Sequence, residues 1–238
     1  MMNWYYNPNV NFEMGTFEHF FTMAIISLII TALFLFRQPL TPYRRVIRLT
    51  VGWGLIFSRL SLDIWYIITD NWHITSSLPF ELCSIATIMG GIMLITKNRF
   101  LFEVFYFIAI GGAIQAIVTP DLYFGFPQFR FLQFFIDHML LVISPIILII
   151  FYQFNITFKS LIKSFITLNG IALIVYIINH IISANYMFLT EKPQGGSLLD
   201  FLGPYPYYLI SLEGVTFIIF LILFLPFFIK NSNAVGNY

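Results

Sequence analysis

Seven stretches of roughly 20 mainly apolar residues, each divided from the next by a short polar link, leave this chain few ways to fold. They run over 17–36, 46–68, 77–96, 100–118, 130–151, 163–183 and 206–229. Each is long enough to carry an α-helix across about 30 Å of hydrocarbon. Within that layer a backbone amide finds no water to bond, so a helix is the form an isolated segment must take. The links, 37–45, 69–76, 97–99, 119–129, 152–162 and 184–205, are too small for a soluble domain. The expectation is therefore a single integral membrane domain over 1–238, an all-α, polytopic bundle of about seven transmembrane helices. Composition agrees: 59% of residues are hydrophobic, 10% are charged and 29 are Phe, too apolar a mixture to cover a soluble core.

The placement of charge gives the orientation. Arg37, Arg44, Arg45, Arg48, Lys97, Arg99, Lys159, Lys163 and Lys230 fall on one side of the alternating spans, whereas the other side holds only Arg130 and Lys192. Short loops rich in Lys and Arg stay in the cytoplasm. That puts the N-terminus outside and the C-terminus inside, which requires an odd number of spans. Residues 1–18 contain no Lys or Arg, unlike a cleaved secretory leader. The Trp and Tyr residues of the outer loops, among them Trp65, Trp72, Tyr123 and Tyr207, fit an ordinary headgroup belt. A net charge of +1 offers no electrostatic case for nucleic acid. With Cys83 the sole cysteine, neither an internal disulfide nor a cysteine-based metal cluster can form within one chain.

Six polar residues from six spans fall at similar depth. Asp63, Cys83, Gln115, His138, His180 and Glu213 lie about three to eight residues inside the outer ends, roughly 5–12 Å below the boundary. No comparable group is evident in the inner half. Such residues usually face the bundle interior or a wet cavity, and their shared depth is the expectation of one cavity opening to the outer leaflet. Cys83 is a candidate nucleophile and His138 a candidate general base. Each alone reads equally as packing or interhelical bonding. Asp63 lies one turn after Arg59, so the two can pair at i,i+4, or Asp63 can orient a histidine. Asn169, Tyr176 and His180 share one helical face, and His180 either binds a headgroup or ends its span. Glu213 has no local cation and calls for a partner on another span. Glu81 and Asp137 diverge from Cys83 and His138 by their helical angles and receive no direct role. Pro79 is expected in the first turn of the third span, where its missing N–H costs nothing.

Three motifs together resemble a known family: LPFELCS at 78–84, TPDLYFGFPQFRFLQFFIDH at 119–138 and SLLDFLGPYPYYLISLE at 197–213. The chain is similar, from about residue 45 onward, to the transmembrane protein 164 family and its bacterial YwaF-like relatives, seven-span integral membrane proteins. The resemblance implies acyltransferase chemistry, in which an acyl chain leaves a phospholipid through a cysteine thioester and passes to a lysolipid or another lipid acceptor. Cys83 matches the nucleophile's motif and His138 that of the essential histidine. Asp63, Gln115, His180, Glu213 and Arg59 remain supporting or substrate-binding candidates from their depth alone. Gln115 and backbone N–H groups near Pro79 are candidate oxyanion donors. No metal or organic cofactor is implied, and the setting is the cytoplasmic membrane of a bacterium. Other classes fit the same spans: a lipid or headgroup transporter or flippase without covalent chemistry, a lipase or thioesterase using the same Cys83 and His138 with water as acceptor, a metal-dependent membrane hydrolase using His138, His180 and carboxylates, and a structural or sensory partner. With cysteines introduced singly in place of Asp121 and Asp200, a membrane-impermeant thiol reagent is expected to label both from outside. Labelling of either from the cytoplasmic side overturns the topology.

Overall fold

A computed structural model describes residues 5–7, 9–193 and 198–235. Its long helices are α1 (Phe17–Leu35), α2 (Arg44–Ile68), α3 (Leu82–Thr96), α4 (Arg99–Val118), α5 (Phe129–Tyr152), α6 (Phe158–Ile182) and α7 (Tyr207–Val235). Six helical stretches are long and apolar enough to cross a membrane, and α3, at 15 residues, is shorter. A single turn (Arg37–Leu40) and a 3₁₀ turn (Thr41–Tyr43) lead into α2, and among the described residues no strand forms beyond one isolated bridge, Asn11 to Phe124.

The expected spans and the helices agree except at two starts and one end, where α7 continues past 229 to Val235. Ser77–Glu81 is not helical, so Pro79 sits in a turn ahead of α3 and not in its first helical turn. The cause is local: Arg59 Nη2 donates to the Ser77 carbonyl at 2.8 Å, and Ser77 Oγ accepts from His73 N at 3.0 Å. Those bonds tie the segment to the end of α2. α6 begins earlier than expected, at Phe158, because Thr157 and Ser160 cap it reciprocally, each side chain accepting from the other's backbone N–H at 3.2 Å.

α5 is the centre of the bundle. Two-thirds of its spanning window (67%) is buried inside the protein and 56% of that of α4, against 17% for α1 and 11% for α7. The outer helices thus turn most of their side chains to lipid, while α5 packs against α1, α2, α3 and α4. α2 and α3 approach closely through glycines. A Cβ on Gly52 would lie 3.0 Å from the Leu94 Cβ and 3.4 Å from the Gly91 carbonyl, and one on Gly90 would enter the Phe105 ring at 2.6 Å. Small residues allow this approach where no hydrophobic force drives helices together in lipid.

The two ends of the bundle differ. At one end the N-terminal segment crosses the loop before α5: Phe12 N donates to Tyr123 O at 2.9 Å, Gly125 N to Val10 O at 3.0 Å, and Asn7 N to Gln128 Oε1 at 2.8 Å. Trp65 Nε1 donates to Tyr5 O at 3.0 Å, bringing α2 into the same layer. At the opposite, basic end the expectation of few internal polar groups is corrected. Arg48 is buried there and donates to the carbonyls of Leu94 and Ile95, and Glu103 pairs with Lys163 and Arg99. These groups satisfy the open carbonyls at the end of α3 and join α4 to α6. Gly52→Leu is expected to lower stability by about 1–3 kcal/mol through overpacking of the α2–α3 contact. The check is a lower melting temperature of the purified protein than wild type, with Gly170→Leu, whose Cβ would meet nothing within 4 Å, as the silent control.

Candidate functional site

Cys83 is the second residue of α3 and is half-buried against the core. One turn further on, the Thr87 hydroxyl lies 2.8 Å from the Cys83 carbonyl and 2.7 Å from Asp137 Oδ2 on α5. A hydroxyl has one hydrogen and two lone pairs, so Thr87 joins the Cys83 turn to the Asp137 carboxyl through a single group.

α5 brings a polar stripe to this place. Arg130, Gln133, Asp137 and His138 recur at i, i+3, i+7 and i+8, one broad face of a helix. Arg130 Nη1 donates to Gln133 Oε1 at 2.7 Å, and Gln133 Nε2 donates to Ser58 Oγ on α2 at 3.0 Å. The Arg130 guanidinium lies 5.4 Å from the centre of the Phe134 ring, which lies against the His138 ring at 4.1 Å. Asp137 and His138 are both buried. His138 Nδ1 is 2.7 Å from the Phe134 carbonyl. A carbonyl only accepts, so Nδ1 carries the hydrogen of that bond, and a neutral ring then presents Nε2 as its basic nitrogen. Asp137 Oδ1 is buried without a hydrogen-bond partner.

Asp137 is the residue that the sequence reading passed over. Its offset of about 100° from His138 does not exclude it, because a helix enclosed on several sides presents both residues to neighbours. The signal was available in the Arg130, Gln133, Asp137 spacing. Glu81 likewise has a defined contact: its Oε2 accepts from Met187 N at 3.1 Å and fastens the start of α3 to the loop after α6. In that loop Tyr186 is buried, donating to Ile74 O at 2.8 Å and accepting from Leu78 N at 3.0 Å. Burial pushes the Tyr186 phenol above its usual range, against the lowering effect of the Leu78 bond.

Arg59 and Asp63 form the i,i+4 ion pair on α2. The same guanidinium donates to Ser77 O and, through Nη1, to Ser84 Oγ at 3.0 Å, so Arg59 fixes both flanks of the LPFELCS motif. Asp63 is thereby committed to Arg59. Glu213 finds its partner on another span, accepting from Asn169 Nδ2 at 3.0 Å, across the α6–α7 contact. Gln115 and His180 have exposed side chains, and His180 Nδ1 is bonded to the Tyr176 carbonyl at 2.9 Å within α6. The six residues expected at one depth therefore divide: Cys83, His138 and Asp63 lie in the region that Arg59, Thr87 and the α5 stripe join, Glu213 pairs with Asn169 elsewhere, and Gln115 and His180 face outward. An apolar cavity of about 450 Å³ lies between α1 and α5, lined by Phe21, Ile25, Phe135 and Met139 among others, and none of these candidates lines it. Among the described residues no three His, Cys, Asp or Glu side chains are grouped to hold a metal ion.

The model of the TMEM164 family matches residues 14–224, nearly the whole chain. No curated protein and no solved structure matches it.

Thr87→Val removes the hydrogen bond to Asp137 Oδ2 and leaves that buried carboxyl unpaired, an expected loss of about 1–3 kcal/mol. Thr87→Val with Asp137→Leu removes both partners and is expected to cost less than the single change. Thermal melting of the two variants checks the order.

Proposed function

Because the chain belongs to the TMEM164 family, we propose that it is a membrane-embedded lipid acyltransferase of a bacterial cytoplasmic membrane, moving an acyl chain from a phospholipid at the outer leaflet to a lysolipid or another lipid acceptor through a thioester on Cys83. The observation that carries this reading is the tautomer of His138. Its Nδ1–H is spent on the Phe134 carbonyl, which leaves Nε2 as a base on the helix that meets the Cys83 turn through Thr87 and Asp137. The fixed bond also sets the ring's orientation, as a second hydrogen bond does for catalytic imidazoles generally.

In the first half-reaction His138 Nε2 takes the Cys83 thiol proton, and the sulfur attacks the ester carbonyl carbon of the donor lipid. The tetrahedral intermediate collapses with loss of the lysolipid alkoxide, which takes the proton back from the imidazolium. An S-acyl cysteine remains. In the second half-reaction His138 removes the proton of the acceptor's hydroxyl, the acceptor oxygen attacks the thioester, and the thiol regains its proton as it leaves. Every proton passes through His138, from Cys83 to the departing lysolipid and then from the acceptor hydroxyl back to Cys83, so none is gained or lost and no cofactor is consumed. Arg59 holds the segment that carries Cys83 by its bonds to Ser77 and Ser84, a positioning role. Asp63, bound to Arg59, supports that position, while Gln115, His180 and Glu213 lie apart from the thiol's bonded neighbourhood and serve, in this reading, at most in lipid contact.

Purified protein incubated with phospholipid carrying a labelled acyl chain is expected to gain label that hydroxylamine releases, and to transfer it when lysolipid is added. Cys83→Ala should carry no label. His138→Gln should form it about 10²–10⁴-fold more slowly, the usual contribution of a general base. Hydroxylamine-sensitive label of equal yield on Cys83→Ala overturns the proposal.

A further inference from the structure

The basic end of the bundle holds a convergence of charge that the acyl-transfer reading does not use. α2 starts there with Arg44, α3 ends with Lys97 as its cap, and α5 ends at Tyr152. The half-buried Tyr152 ring has three cations around it: the Arg44 guanidinium at 5.8 Å from its centre, that of Arg48 at 5.6 Å and the Lys97 ammonium at 5.5 Å. Arg48 is committed within the protein, donating from Nε to Tyr152 Oη at 3.2 Å and from Nη1 to the carbonyls that end α3. Arg44 and Lys97 are exposed, and among the described residues neither donates a side-chain hydrogen bond or meets a carboxylate. The nearest acidic group on this end, Glu103, is taken by Lys163 and Arg99. Three like charges on one ring repel one another, and a π-face compensates them only in part.

We propose that Arg44, Lys97 and the Arg48–Tyr152 pair form a binding site for the phosphate-bearing headgroup of an anionic phospholipid.

The bias of Lys and Arg toward one membrane side does not by itself produce this arrangement. Arg37, Arg45 and Lys159 meet that bias from scattered positions, whereas these three cations come from the start of α2 and the end of α3 and gather on one ring. A planar guanidinium donates two parallel hydrogen bonds to a phosphate, and a lysine adds a point charge. The site also lies where headgroups lie. Only Lys97 and Asn98 connect α3 to α4, so the link between two membrane helices has no length to rise above the surface. Val46 and Ile92, on the neighbouring turns of α2 and α3, are exposed and apolar, the surface an acyl tail would follow from a headgroup held here. A free phosphate has no use for that surface. A zwitterionic headgroup would bring an ammonium into a cationic site, so the ligand carries net negative charge. Basic pockets between helices at a membrane face take anionic headgroups by the same logic.

The test uses the purified full chain in neutral detergent, titrated separately with phosphatidylglycerol, phosphatidylcholine and inorganic phosphate, with bound molecules counted by native mass spectrometry. One phosphatidylglycerol is expected to bind at least about tenfold more tightly than phosphatidylcholine. Each surface cation contributes about fivefold to such attraction, so Arg44→Gln with Lys97→Gln should weaken it about 25-fold, and Lys97→Gln alone about fivefold. Lys159→Gln, an exposed cation outside the cluster, should leave it unchanged. Circular dichroism confirms that the variants stay helical, and if the double variant does not, Lys97→Gln alone decides. Equal binding of the two lipids, unchanged phosphatidylglycerol binding in a folded variant, or inorganic phosphate binding as tightly as phosphatidylglycerol each overturns the proposal.

Discussion

No water reaches the middle of a bilayer, and every other feature of this fold answers to that fact. Backbone amides close on themselves as helices because nothing else can bond them. Helix association then cannot draw on hydrophobic burial, since lipid is as apolar as leucine. Close contact and internal polar bonds must supply it. The α2–α3 crossing shows the first device in Gly52, Gly90 and Gly91, where backbone and ring occupy the space that side chains would fill. Arg59 shows the second, one buried guanidinium binding Asp63, Ser77 and Ser84 across two helices and the turn between them.

The position of α5 follows from the same economy. A helix enclosed by four neighbours is the one place where a stripe of polar side chains can run along a membrane span at tolerable cost, because each finds a partner. Arg130, Gln133 and Ser58 form such a chain, and Thr87 meets Asp137 at its lower part. Asp137 Oδ1 is the exception, a buried acceptor left without a partner beside the turn of the lone cysteine. Orphaned polar atoms are rare in native structures and tend to mark places where structure serves something besides stability. Among the described residues of the peripheral helices polar contacts are isolated, as where Asn169 meets Glu213 between α6 and α7 or Ser164 Oγ donates to Val104 O.

The bundle's ends divide the labour. One is layered by the N-terminal segment, bonded to the loop before α5, and by the loop after α6, bonded through the Tyr186 hydroxyl to the segment between α2 and α3. The other is nearly without loops and relies on cations, with Arg48 closing the end of α3 and Lys163 and Arg99 sharing Glu103. A positive end and an ordered polar end match the asymmetry that a membrane imposes on any spanning chain.

The seven helices, their order and most of their bounds were legible in residue order, because hydrophobic length and the alternation of Lys and Arg are local properties that lipid and membrane potential read directly. So were the Arg59–Asp63 pair, set by i,i+4 spacing, and the need of Glu213 for a partner on another span. Position along a helix does not give azimuth. Gln115 and His180 face outward, whereas Asp137, discounted for its angle, is the carboxyl that bonds beside Cys83. The helix start at Leu82 was likewise decided by a bond from elsewhere, Arg59 to Ser77, whereas the start at Phe158 is set by the local Thr157–Ser160 cap. Residue order by itself determined that this chain forms helices long and apolar enough to cross a membrane. Which polar groups meet was decided only by how the helices rotate and pack, since that rotation depends on contacts between residues far apart in the chain.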